Sequence, residues 1–264
     1  MNYGEELDLA KRLARESGEI LLELRSSDLK VTRKNDARRT LVSTADEEVS
    51  KFLSAELQRE FPDYKILDEE QAQHPAWVNA EKCWVIDPLD NTKGYLQGDE
   101  HFSVLIGLLH NQQPVLGVTY RPIADELTYS MGDGFYIEQG EGPELARVNS
   151  SSELHVLVSG SQQNEELDDI LRKLNPDSVR RISGSIKTIE VALGRATAFI
   201  CPISFEMHHW DYCAPIANLE AAGGRASYLD GSPYDFGQLE TVNRRGFLAT
   251  NGVVHETVLE RLRK

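Results

Sequence analysis

Between Lys65 and Glu138 six strand-like segments follow one another with mostly short connections: KILD, CWVID, FSVLIGLL, PVLGVTY, ELTYS and GFYIE. No helix of ordinary length fits between the later ones, so this stretch predicts an antiparallel meander. After about Gly142 the rhythm changes. HVLVSG, VRRIS, ATAFI, RASYL and GFLAT alternate with helix-like NEELDDILRKL, SIKTIEVALG, WDYCAPIANLEAAG and VVHETVLERLRK. Alternation of this kind argues for an α/β layer. The expectation is therefore an α/β chain of the layered α+β kind, divided into residues 1–145 and 146–264. Two halves of different type leave a cleft between them, where ligands often bind.

The meander is preceded by two helical patterns. Residues 1–26 place Leu7, Ala10, Leu13, Ile20, Leu21 and Leu24 near one stripe. After the polar loop RKNDARRT, a second helix is expected from TADEEVSKFLSAEL, with capping-box spacing at Thr44 and Glu47 and an apolar stripe of Val49, Phe52, Leu53 and Leu57. Of the 264 residues 40% are hydrophobic, enough for a sizeable core. The net charge of -15 argues against a nucleic-acid polymer as partner. It limits a small anion less, because a metal ion and a few local cations reverse the field inside one cleft. No apolar run approaches a membrane span, and MNYGEELDLA lacks the pattern of a secretion signal. Three cysteines without CxxC spacing read as reduced thiols of a cytoplasmic protein.

One strand of the meander runs straight into charge. WVIDPLDNTKGYLQG, from Trp84 to Gly98, begins apolar and then carries Asp87 and Asp90 with a proline between them. In a straight strand residues three apart point to opposite faces. Pro88 disfavours continued pairing and favours a turn. Asp90 would then cap the next element, and both carboxylates would converge at the strand's end. Converging anions raise one another's pKa unless a cation neutralises them, and a hard divalent cation with oxygen ligands does so. The pair alone also fits a plain strand end and a capped turn. ILDEE ends another apolar strand with Asp68, Glu69 and Glu70, and Asp211 opens an apolar helix. Taken singly, Asp211 fits a helix-dipole partner and Glu69 a solvated turn. Acids at three strand or helix ends are harder to dismiss together.

These motifs, in this order and spacing, resemble the inositol monophosphatase superfamily of magnesium-dependent, lithium-sensitive phosphatases. WVIDPLDNT resembles its W-x-I/L-D-P-I/L-D-G-T signature, ILDEE its G-E-E element, and LVSTADEEV its V-T-x-A-D element. WDYCAPIANLEAAGG resembles the element that opens W-D-x-A and closes E-A-G-G, so the resemblance runs from about Lys34 to Gly224. It implies a sugar-phosphatase fold of alternating helix and sheet layers, with an antiparallel first sheet and a mixed second sheet. Most metal ligands would then lie in the first half, and Asp211 and substrate contacts in the second. Glu69, Asp87, Asp90 and Asp211 fall on the metal-ligand positions, with the Leu89 backbone carbonyl, for two or three Mg2+ ions. Thr92 falls on the threonine that orients the attacking water, with Asp46 behind it, and Glu69 completes the catalytic set. Lys34 lies in the region that organises a mobile loop near the metals. The backbone N–H groups of Asn91 and Thr92 open a turn or helix that suits phosphate oxygens. Direct in-line displacement by metal-activated water needs no protein nucleophile, in keeping with the lack of a Cys or Ser nucleophile motif.

NTKGYLQGDEHFSV resembles the version found in 3'(2'),5'-bisphosphate nucleotidases, with Lys93 carrying much of the likeness. SGSIKTIEVALGRA resembles their G-S-S-L-K stretch, which brings Gly184 and Ser185 to the substrate and sets Lys187 to meet a second phosphate as a mobile point charge. The expected activity is hydrolysis of 3'-phosphoadenosine 5'-phosphate to AMP and phosphate, in sulfur metabolism. Inositol-1-monophosphatase is the alternative, and a non-catalytic member that binds metal or phosphate is a further one. A small phosphorylated substrate is the implied partner, and the family admits a homodimer. Asn91 replaces the family's usual Gly, and Asn tolerates the left-handed backbone region well. In the nucleotidase stretches Gly184 replaces a Ser, Gln162 a His and Cys201 an Arg. In the last motif Cys213 replaces an Ala, and the closing acid comes one residue early, at Glu220.

Overall fold

The computed structural model describes residues 3–26, 30–33, 41–71, 75–131, 134–140, 142–160 and 164–264. The first helix, α1 (Gly4–Arg25), is followed by a short antiparallel pair, β1 (Val31–Arg33) and β2 (Leu41–Ser43), and by α2 (Thr44–Glu60). Then come β3 (Lys65–Asp68), β4 (Lys82–Asp90), α3 (Thr92–Leu96), β5 (Ser103–His110), β6 (Gln113–Arg121), β7 (Glu126–Met131), β8 (Gly134–Glu138) and β9 (Pro143–Ala146). The second half contributes β10 (His155–Ser159), α4 (Glu165–Leu174), β11 (Ser178–Ile182), α5 (Ile186–Ala192), β12 (Ala198–Cys201), α6 (His209–Ala221), β13 (Arg225–Ser227), β14 (Phe247–Thr250) and α7 (His255–Leu262).

Strands β3 to β9 lie in chain order in one seven-stranded sheet. The expected meander holds from β4 to β8 and is extended by β9, whereas β3 joins β4 in parallel. A parallel pair needs a long connection, and the chain between Asp68 and Lys82 supplies it. The strand β9 lay in a polar, proline-led stretch that did not read as a strand. The second sheet is mixed, in the order β11-β10-β12-β14-β13.

Strand alternation divides the core. Trp84 and Ile86 of β4 pack with Leu13, Leu21, Leu53 and Leu57 of α1 and α2, whereas Cys83 and Val85 pack with α5 and α6. The other side of that inner helical layer is covered by Leu157, Phe199 and Phe247 of the second sheet. Leu167 and Ile170 of α4, with Val258 and Leu259 of α7, cover the sheet's far face. The layers thus alternate helix, sheet, helix, sheet, helix. The inner helix α6 lies hard against the first sheet: a Cβ on Gly117 would come within 2.2 Å of the Ala214 carbonyl oxygen. That contact fixes α6, and with it Asp211 in its first turn, relative to the end of β4.

Two local expectations need correction. The capping box of α2 is formed by Ser43 and Asp46, one residue earlier than Thr44 and Glu47. Pro88 does not end the strand, and Asp90 is no helix cap. Strand β4 runs through Pro88 to Asp90, and Asn91 caps α3.

Candidate active site

The end of β4 carries a bulge. Asp87 pairs with Leu105 and Asp90 with Ser103, so three steps along β4 oppose two along β5. One extra residue restores the parity that three steps would break, and both aspartates turn to the same side. Proline fits here because a bulge leaves one residue out of the ladder. Asp211 arrives from the start of α6, and one carboxylate oxygen of each of Asp87, Asp90 and Asp211 lies within 4.8 Å of the others. Glu69, just past the end of β3, hydrogen-bonds Asp87. Its neighbour Asp68 is engaged elsewhere, accepting from the Ser50 and Ser54 hydroxyls of α2.

These acids crowd one another. Burial first, then Glu69, Asp90 and Asp211, push the Asp87 carboxyl well above the usual range. Burial and Asp90 raise Asp211 to about 8. Asp90 is also raised by burial, against the pull of the Ser185 backbone N–H and of Lys187. The Ser185 N–H donates to Asp90 Oδ2 at 2.7 Å, and the Ser185 hydroxyl lies 3.1 Å from Asp90 Oδ1 and 3.3 Å from Asp211 Oδ1. Gly184 permits this approach: its φ is +75°, and a Cβ there would lie 2.7 Å from Asp90 Oδ2. The Ser103 hydroxyl donates to the same oxygen at 3.1 Å. Sequence reasoning missed Ser103, although a serine at the head of an otherwise apolar strand was a usable signal.

Thr92 opens α3 beside this cluster. Its hydroxyl lies 2.8 Å from Asp46 Oδ1 and 3.1 Å from the Leu89 carbonyl oxygen. The other oxygen of Asp46 accepts from the Ser43 N–H and hydroxyl, at 2.8 and 2.6 Å. Asp211 is used in the same divided way. Its Oδ2 takes the His208 N–H at 2.5 Å and its Oδ1 faces Ser185. Asn91 adopts the left-handed conformation, φ 66° and ψ 46°, with its amide bound to the His101 carbonyl at 2.6 Å and its carbonyl to the Gly94 N–H at 3.2 Å.

The remaining expected residues are placed as follows. Lys93 is exposed on α3. Lys187 is 2% exposed, with its ammonium on the Gly184 carbonyl and 5.0 Å from the centre of the Phe199 ring; burial lowers its pKa. Cys201 is 1% exposed and touches Met207. Lys34 and Gln162 lie outside the described residues.

The sequence model of the inositol monophosphatase family matches residues 3–264. The chain belongs to that family. Its members are magnesium-dependent hydrolases of phosphomonoesters. Among the relatives of this inositol monophosphatase family chain are an inositol-1-monophosphatase of Bacillus subtilis, 27% identical over 98% of this chain and 97% of the relative, and the 3'(2'),5'-bisphosphate nucleotidase CysQ of Escherichia coli K12, 28% identical over 91% of this chain and 98% of the relative. Of the solved structures, a Thermotoga maritima IMPase aligns with a TM-score of 0.82 at 22% identity, over 98% of this chain and 97% of the other. An inositol monophosphatase from Anabaena aligns with a TM-score of 0.74 at 27% identity, covering 98% and 95%. No helix among the described residues is long and apolar enough to cross a membrane.

The residues present fit the family's metal. The converging donors are all carboxylate oxygens, which suit a hard divalent cation. Their mutual repulsion is what such an ion would relieve.

Proposed function

We propose that this protein is a Mg2+-dependent phosphomonoesterase that binds two or three Mg2+ ions through Glu69, Asp87, the Leu89 carbonyl, Asp90 and Asp211. The convergence of Asp87, Asp90 and Asp211 from two halves of the chain carries this reading. When bound, magnesium screens the phosphate charge, makes water a better nucleophile and stabilises the leaving oxygen. The protein's own part begins at Thr92. Its hydroxyl has one hydrogen and two acceptors in reach, a carboxylate oxygen of Asp46 and the Leu89 backbone carbonyl, and the nearer Asp46 takes it. Thr92 Oγ1 is thereby left to accept a hydrogen bond from the attacking water and to aim it. Glu69, on the same side as Asp87, accepts the water's other proton. No side chain is acylated or phosphorylated in this scheme, and the three thiols, all buried and unpaired, take no part. Their unpaired state goes with a cytoplasmic setting.

The substrate we propose is 3'-phosphoadenosine 5'-phosphate, cleaved to AMP and phosphate, on the strength of Lys93 and of the likeness of the segment around Gly184 and Ser185 to the nucleotidase stretch. One observation favours inositol 1-phosphate as a second reading: Lys187 is turned inward, and Cys201, a buried neutral thiol, stands where the nucleotidases have an arginine, so neither offers positive charge to a second phosphate. Steady-state kcat/KM for adenosine 3',5'-bisphosphate, inositol 1-phosphate and fructose 1,6-bisphosphate decides between them. A tenfold or greater advantage for the inositol ester overturns the nucleotidase reading. Magnesium binding without phosphate release from any of the three supports the non-catalytic alternative.

A further inference from the structure

We propose that Arg195 is a positioning residue of the acidic site: by bridging Glu126 and Glu190 it holds α5 where Ser185 meets Asp90. This rests on reading the acidic cluster as a magnesium site.

Five residues of alternating sign form a chain across the molecule. Arg121 Nη1 of β6 lies 3.0 Å from Glu126 Oε1 of β7, and Arg195 Nη2 lies 3.2 Å from Glu126 Oε2. Arg195 Nη1 lies 2.9 Å from Glu190 Oε1 of α5, and Arg180 Nη2 of β11 lies 2.6 Å from Glu190 Oε2. Of the ion pairs between described residues, Arg195–Glu126 is the one that crosses from residues 146–264 to the first sheet. Glu126 is 3% exposed and the Arg195 side chain 39%, so the crossing is buried at its acidic end and open to solvent at the other. The turn around Arg195 is held again by Asn149, whose amide donates to the Gly194 and Ala196 carbonyls at 2.8 and 3.1 Å.

Helix α5 ties this chain to the site. Ser185 is its N-cap, yet the serine hydroxyl makes no capping bond and goes to Asp90 and Asp211 instead. Glu190 sits five residues further on, about 7.5 Å along the helix. A short helix pinned at one end by Glu190 and Arg195 cannot slide without moving Ser185 off Asp90. Metal ligands drawn from both halves make the site sensitive to such a shift, whereas α6 is fixed separately by its close contact at Gly117. Arginine suits the task because one planar fork serves two carboxylates, which a lysine ammonium cannot do in the same geometry.

The test uses Arg195→Ala and Arg195→Lys, with Arg225→Ala as a control that removes only the exposed pair to Glu256. Mg2+ affinity is measured by titration calorimetry and by the Mg2+-induced rise in Tm, alongside kcat and KM at saturating Mg2+. Arg195→Ala should weaken Mg2+ binding about three- to tenfold, with Arg195→Lys in between and Arg225→Ala at the wild-type value. Glu126 keeps Arg121 as a partner in the variant, so the fold should survive; if Arg195→Ala does not fold, Arg195→Lys decides alone. Unchanged Mg2+ affinity in the folded Arg195 variants overturns the proposal, as does an equal loss in Arg225→Ala. Failure of the wild-type protein to bind Mg2+ at all overturns the magnesium reading instead.

Discussion

The Thr92 hydroxyl donates to Asp46 at 2.8 Å, and the second oxygen of the same carboxylate caps the helix on which Asp46 sits. A helix cap and the hydrogen bond we propose for catalysis thus share one side chain, which cannot turn toward either task without losing the other. Thr92→Ala should lower kcat about 100-fold or more with little change in KM, because it removes the acceptor proposed to aim the water. Thr92→Ser should keep most of the activity. Asp46→Asn keeps its one oxygen for the cap and sets a donor NH2 against Thr92 Oγ1, which takes away the acceptor of the Thr92 proton and occupies the lone pair proposed for the water, so it should lower kcat with a smaller loss of Tm. Steady-state kinetics and thermal unfolding on the three variants check this. A KM effect that exceeds the kcat effect in Thr92→Ala counts against the assigned role.

Asp87 should trade stability for function. It is 1% exposed and surrounded by Glu69, Asp90 and Asp211. Asp87→Asn keeps an oxygen for the Leu89 N–H, which lies 3.0 Å from Oδ1 in the wild type, and makes permanent the uncharged state toward which burial and the neighbouring acids push Asp87, so the variant no longer has to take up a proton to relieve the cluster. The metal-free variant should therefore unfold at a higher temperature than metal-free wild type. Its Mg2+-induced rise in Tm and its activity should both be lost. A metal-free Tm below that of the wild type would show that repulsion in the cluster is not felt by the fold.

Much of this arrangement is legible in the residues, and the failures share a cause. The apolar stripe of α1, the strands of the meander and the alternation after Gly142 all follow from local periodicity. Asn91 could be expected to take a left-handed backbone from its side chain alone, and it does. Thr44 with Glu47 and Ser43 with Asp46 have the same spacing, so local pattern cannot choose between them. The choice is bound up with Thr92, in a different element. Likewise Pro88 forbids a ladder bond but does not forbid a bulge, and the bulge is visible only against β5. The burial of Lys187 beside Asp90 and Asp211 depends on contacts between distant parts of the chain, which spacing along the sequence does not report.

The crowded carboxylates set a pH dependence. In the folded, metal-free protein Asp211 titrates at about 8, against about 3.9 for an unfolded aspartate. Between those values the folded state binds more protons than the unfolded state, so stability falls as pH rises and levels off above about 8. Metal-free Tm should accordingly fall from pH 5 to pH 8. Magnesium binds the deprotonated cluster, so its affinity should rise over the upper part of the same window, with proton release on binding. Calorimetry in two buffers of different ionisation enthalpy measures that release directly. A metal-free Tm that rises over this range contradicts the assignment.

Asn91 offers the sharpest check on whether the departure from the family's glycine matters for chemistry. Its side chain is folded onto His101 and Gly94, and a Cβ on Gly94 would lie 2.2 Å from Asn91 Nδ2, so the two positions are matched. Asn91→Gly keeps a backbone free to hold φ 66° but loses both side-chain bonds and loosens the unfolded chain. It should cost about 1–2 kcal/mol of stability while kcat/KM stays within about threefold, since the amide is directed at the His101 carbonyl. Asn91→Ala adds the strain of a Cβ in the left-handed region and should be the less stable of the two. A large gain in kcat/KM for Asn91→Gly would mean that the asparagine crowds the phosphate, with its hydrogen bonds serving stability at the expense of turnover.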